Sequence, residues 1–225
     1  MSKLPQMCLA GVLIGVLALT GCKSLSVGSK NKGPKDGKFQ MPPSPAEDWI
    51  KVGMDNGLSY IRVADATEDD IVTLFATSDQ GTESMSSAGV LAKSIQSKGL
   101  QGLRAVEVTT FRGVPGVRFE ILKRDLGPGG TPEMRAKLGL LERQPGSEFF
   151  VRTEVFAFPD PRDDTRVINL GISRVSVHGL IGNAYGNVRN HFVSQFLSLN
   201  NIPGYNGDMM DAEYDDPEGY SGLPY

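Results

Sequence analysis

Beyond Trp49 the chain alternates apolar and polar positions in short runs, and twice the spacing changes from two to three or four. In residues 57–64, Leu58 and Tyr60 alternate with Ile61 and Val63, and in residues 70–77, Ile71, Thr73 and Phe75 alternate with Val72, Leu74 and Ala76. Two β-branched and aromatic runs joined by the acidic turn at residues 65–69 predict a hairpin. Met85, Ala88, Leu91, Ala92 and Ile95 then recur at helical spacing, with Lys98 in the last turn and Gly99 as a stop, so an amphipathic helix follows. Period two returns in residues 103–111 and 117–122, a second hairpin around Gly113-Val114-Pro115-Gly116. The Gly- and Pro-rich stretch 126–146 interrupts it, and Thr131-Pro132-Glu133 inside reads as the start of a short helix ending at Leu140 or Leu141. A third hairpin is predicted from residues 148–158 and 166–178. In its return strand the apolar phase slips between Ile168, Leu170, Ile172 and Val175, Val177, and a bulge near residues 171–174 is expected to absorb the slip. Last, Ile181, Tyr185, Val188, Phe192, Phe196 and Leu199 step by three or four along a long helix that residues 200–204 end.

Short hairpin connections and wide apolar helix faces favour an antiparallel sheet with helices packed on it. The predicted class is α+β, with about six strands in the order ββαββββα. That order resembles the PsbP-like family over residues 49–199. The resemblance rests on the Trp-containing opening, on Gly113-Val114-Pro115-Gly116 before Val117-Arg118-Phe119, and on the final helix ending Phe192-Val193-Ser194-Gln195-Phe196. It implies an α-β-α sandwich and a non-catalytic accessory role.

The start of the chain has its own pattern. Lys3 precedes an apolar run from Met7 to Leu19, well short of the roughly 20 residues a spanning helix needs. The run closes on Leu19-Thr20-Gly21-Cys22, which resembles the bacterial lipoprotein signal at every position. The resemblance implies diacylglycerol on the Cys22 sulfur, cleavage before Cys22 and acylation of the new amino group, with the thiolate as nucleophile. Two or more acyl chains make attachment to membrane lipid effectively permanent. Lys23 stands where an Asp would favour inner-membrane retention, so the implied destination is the outer membrane facing the periplasm, where the cell has one.

Residues 1–21 therefore read as signal peptide, 22–45 as a flexible spacer from lipidated Cys22, 46–204 as the folded domain and 205–225 as an acidic, disordered tail. The spacer carries five lysines (23, 30, 32, 35, 38) against Asp36. They suit either a strip hugging anionic headgroups or a solvated linker, and their wide spacing favours the linker. The tail holds six acids, Asp208, Asp211, Glu213, Asp215, Asp216 and Glu218, and no basic residue. Asp211, Glu213 and Asp215 alternate as calcium ligands would, but the glycine turn and distal Glu of an EF-hand are missing. Met209, Met210, Tyr214 and Tyr220 among the acids suit a segment that folds on a partner protein.

Composition narrows the function further. Without Lys3, 22 basic side chains face 26 acidic ones, a formal charge of -4, and no basic face points to nucleic acid. Cys8 lies in the signal and Cys22 takes lipid, so the domain has no thiol for a disulfide or a zinc site. His178 and His191 lack the G-x-S-x-G setting of a hydrolase nucleophile. Gly127-Pro128-Gly129-Gly130 lacks the Lys and strand-to-helix context of a phosphate loop and reads as a flexible loop. Ser29-Lys30-Asn31-Lys32 matches S-x-x-K within the spacer, where no pocket would activate the lysine. No catalytic residue, metal or cofactor is expected. A lipid-anchored scaffold or adaptor of the cell envelope is the first expectation, a carrier or receptor for a small apolar ligand the second, and an envelope hydrolase the third.

Overall fold

Residues 39–81, 84–144 and 146–208 are described by the computed structural model. Their elements, in order, are β1 (Ile50–Met54), β2 (Gly57–Asp65), β3 (Asp70–Gln80), α1 (Ala88–Ser97), β4 (Leu103–Phe111), β5 (Val114–Asp125), α2 (Pro132–Lys137), β6 (Phe149–Asp160), β7 (Asp163–Ser176) and α3 (Asn183–Leu199). The class is α+β with one antiparallel sheet, as expected, but the described sheet has seven strands and the order is βββαββαββα rather than ββαββββα. The extra strand is β1. It pairs only with β2 at the sheet's edge, so its five residues are under weak pressure to be apolar and most remain in water.

Across the sheet the strands lie β1-β2-β3-β7-β6-β5-β4. The three expected hairpins are local pairings, whereas β3 with β7 joins the two halves over ten residue pairs. The chain leaves β3 through α1 and re-enters at the far edge as β4.

Alternation along the strands makes two apolar faces. Val72, Leu74 and Ala76 of β3 and Ile168, Leu170 and Ile172 of β7 face α3, which seats Phe192, Val193, Phe196 and Leu197 on them. Each such side chain taken from water contributes about 1.5–3 kcal/mol. Phe75, Val117, Phe119, Ile121 and Val155 face the other way, under Leu91, Ala92 and Ile95 of α1. Ser87 starts α1 by accepting from the Val90 amide at 3.3 Å, and Gly182, with a φ of 76°, delays α3 until Asn183.

The expected bulge at residues 171–174 is absent from the pairing of β7 with β3, whose register runs unbroken from Ile71↔Val175 to Gln80↔Arg166. The strand is central and buried on both faces. Val175 therefore joins Ile61, Ile71, Leu140 and Phe149 on the α1 side while Ile172 packs under α3, and the apparent slip is a change of covered face. In the β6–β7 hairpin the register shifts at Pro159/Asp160 instead.

The packed body also begins earlier than residue 46. Phe39, inside the expected spacer, is buried with its ring 5.5 Å from that of Phe196. At the other end Tyr205 packs on the same cluster, and the Asn206 amide donates to the Arg112 carbonyl at 2.9 Å.

Candidate functional site

Of the residues singled out in the sequence, Leu19, Thr20, Gly21 and Cys22 lie outside the described residues, as do Ser29-Lys30-Asn31-Lys32 and the tail beyond Asp208. His178 is exposed beyond β7 and His191 is exposed on α3. Among the described residues no group of three or more His, Cys, Asp or Glu side chains is placed to hold a metal ion, and no helix is long and apolar enough to cross a membrane.

The glycine loop differs from the expectation of a free loop. Asp125 at the end of β5 accepts from the Gly127 amide at 3.0 Å, and Arg143 donates to Asp125 at 2.7 Å and to the Gly127 carbonyl at 3.1 Å. Arg143 also binds Asp69 through Nε, and its Cζ lies 3.9 Å from the centroid of the Phe149 ring. Arg135 of α2 sits 2.8 Å from the second Asp69 oxygen and donates to the carbonyls of Gly129 and Leu141. Two carboxylates and two guanidiniums thus close a buried, charge-balanced knot. Gly129, with a φ of 68°, makes room for it, because a Cβ there would lie 2.5 Å from the Arg143 guanidinium and 2.7 Å from that of Arg135. The loop cradles protein cations, and its role is to pin the long β5–β6 connection.

A different constellation has the character of a site. Asp79, near the end of β3, is buried beneath the last turn of α1. One carboxylate oxygen accepts from Asn56 in the β1–β2 turn, the other from Asn169 of β7 at 2.7 Å. Leu91, Ile95 and Lys98, one face of α1 continued into its cap, line the space with Met85 and with Phe119 and Val167 of the sheet. Together they line a small cavity of about 20 Å³, room for about one water molecule. Burial pushes the Asp79 carboxyl above its ordinary range, and the Asn56 hydrogen bond and the charges of Lys98 and Arg166 only partly oppose this. Burial also holds Lys98 below the usual lysine value, with Asp79 pulling the other way. Burial thus draws the two proton affinities toward each other, the carboxyl's upward and the amine's downward.

Neither Asp79 nor Lys98 stands out in the sequence. Asp79 closes a strand and Lys98 ends a helix, both ordinary places for a charge. Their meeting, 19 positions apart, depends on α1 folding back over the sheet. The only local hint is an acid in the otherwise uncharged run from Ile71 to Gln80.

The direction of the Asp79 shift sets a pH dependence. A raised carboxyl keeps its proton in the native state at pH values where the unfolded chain has lost it. Its contribution to stability is therefore present below the ordinary carboxylate value and declines as pH rises toward the raised folded value, by at most about 1.4 kcal/mol per unit. In urea melts, Asp79→Asn relative to wild type should gain stability steadily as pH rises above about 4. A difference that stays flat between pH 4 and 7 would show that the carboxyl is solvated.

Compared with family models, curated proteins and solved structures, the chain matches none of them.

Proposed function

We propose that the protein is a lipid-anchored component of the bacterial cell envelope that acts by binding, as an accessory or scaffold protein held at the membrane through acylated Cys22. The observation that carries this is Leu19-Thr20-Gly21-Cys22 at the end of a short apolar run, followed by a lysine-bearing linker that meets the domain at Phe39. Anchoring would raise the domain's local concentration at the membrane surface, so modest contacts with an envelope partner suffice. The α3 side of the sheet supports the binding role. Beyond the helix, Arg104, Glu107 and Arg124 are exposed, and Arg152 bridges Glu120 at 2.7 Å and Glu154 at 3.6 Å, a polar surface suited to a protein partner.

The test is chemical. The full protein, expressed in a bacterium fed an alkyne fatty acid, should label, sediment with membranes and begin at Cys22; Cys22→Ser should lose the label and at least 90% of the membrane-bound fraction, roughly the effect of removing every acyl chain. An intact leader or a bare thiol at Cys22 in the wild type would overturn the assignment.

A further inference from the structure

Residues 39–42 cross the end of α3 without joining the sheet. Side chains from separate elements hold them. The Phe39 ring packs on Phe196 of α3, and the Arg162 guanidinium carbon, from the β6–β7 turn, lies 3.5 Å from the Phe39 ring centroid. Asn200, the cap of α3, grips the backbone of Gln40 in both directions, accepting from its amide at 2.7 Å and donating to its carbonyl at 2.8 Å. Tyr60 of β2 donates to the Pro42 carbonyl at 2.7 Å. An amide clamp, a hydroxyl and a box for one aromatic side chain are the parts with which a protein holds an extended peptide.

The occupant is the end of the linker, held by the buried Phe39 ring and the buried Tyr60–Pro42 bond on one side and by water-facing backbone at Gln40 on the other. Phe39 and Pro42 are buried, but Gln40 is exposed and Asn200 only half-buried, so their bonds compete with water. After Pro42 the chain is exposed through Pro43, Ser44, Pro45, Ala46, Glu47 and Asp48 until Trp49 re-enters the core. Proline at 43 and 45 makes this stretch a stiff hinge. Every strand and α3 pair and pack without any ladder bond to residues 39–42.

We infer that residues 39–42 are a releasable latch, a peptide of the linker seated in a built groove, and that its release lengthens the tether between the domain and the membrane. The added reach rests on the anchoring proposed above, while the latch itself does not. With the latch closed, the linker ends at Phe39. Released, residues 39–48 join it, and ten extended residues at roughly 3.3 Å each add up to about 33 Å. A partner held at a distance set by its own assembly could then be reached without any change in the domain.

The experiment uses the full lipidated protein in vesicles. Chymotrypsin cuts after exposed phenylalanine, so cleavage after Phe39 counts openings of the latch. It should proceed at a rate unaffected by low urea, while amide exchange in β3 and β7 slows to the rate of global unfolding. Asn200→Ala should raise that cleavage about tenfold, the worth of one or two surface hydrogen bonds, with β3 and β7 exchange unchanged. Because Asn200 also caps α3, Phe39→Ala provides a second reading, and exchange at Gln40 and Met41 should quicken without any change in the body of α3. Trp49, the only tryptophan, follows the domain's height, and its quenching by spin-labelled lipid should fall in both variants. Cleavage after Phe39 that shares the urea dependence of β3 and β7, or neither variant quickening release, overturns the latch. Quickened release with unchanged quenching overturns the change in reach, and the mass of the Cys22 peptide shows separately whether anchoring itself has failed.

Discussion

Arg143→Ala is expected to lower the unfolding free energy by about 3–5 kcal/mol, the range for removing one partner from a buried ion cluster. The loss comes from what is left behind. Arg143 is the member that touches both carboxylates, Asp69 and Asp125, and its side chain is 4% exposed. Without it Asp125 loses its guanidinium partner, Asp69 keeps only Arg135, and the Phe149 ring loses the cation beside it. A cavity the size of a guanidinium also opens beneath Gly129. Asp69→Asn should cost less than Asp69→Ala. Asp69 sits in the left-handed region at a φ of 54°, where asparagine is tolerated and alanine is strained. Urea melts of the three variants check the order, and hydrogen exchange should place the loosening in residues 126–144. A loss for Arg143→Ala below about 1 kcal/mol would mean that the cluster behaves as a surface ion pair.

That cluster also shows where sequence reasoning reached its limit. Gly127, Gly129 and Gly130 are an obvious loop signal, and a loop is there. Composition alone could not show that the missing side chain at Gly129 leaves space for arginines six and fourteen positions on. The hairpins and the two longer helices were legible because each buries one face, and a one-sided burial writes its period into the sequence. β7 is buried on both sides, so its period carried less, and the change of covered face at Val175 looked like a bulge. β1 was illegible for the opposite reason, since an edge strand of five residues buries little. The pairing of β3 with β7 and the meeting of Asp79 with Lys98 are non-local, and nothing within either segment records them.

Gly171→Ala is expected to cost at least about 3 kcal/mol, beyond the usual 1–3 kcal/mol of an overpacked core, because the clash is partly with backbone. Gly171 lies in β7, the middle strand of the sheet, opposite Phe75 on one neighbour and Val155 on the other. A Cβ added there would lie 2.4 Å from the Glu154 carbonyl oxygen and 2.7 Å from the tip of the Phe75 ring. The ring can swing aside; the carbonyl is fixed in β6, and moving it shifts the pairing on which α1 and α3 both rest. Glycine normally weakens a strand, so its presence at the centre calls for a compensating gain, and the Phe75 ring lying over it supplies one. Gly53→Ala in β1 is the control. Nothing lies within 4 Å of its added Cβ, so the change should be neutral or slightly stabilising. Phe75→Leu with Gly171→Ala separates the two clashes. If the ring dominates, the double variant recovers most of the loss; if the Glu154 carbonyl dominates, as the shorter distance implies, recovery stays below half and the sheet itself sets the limit.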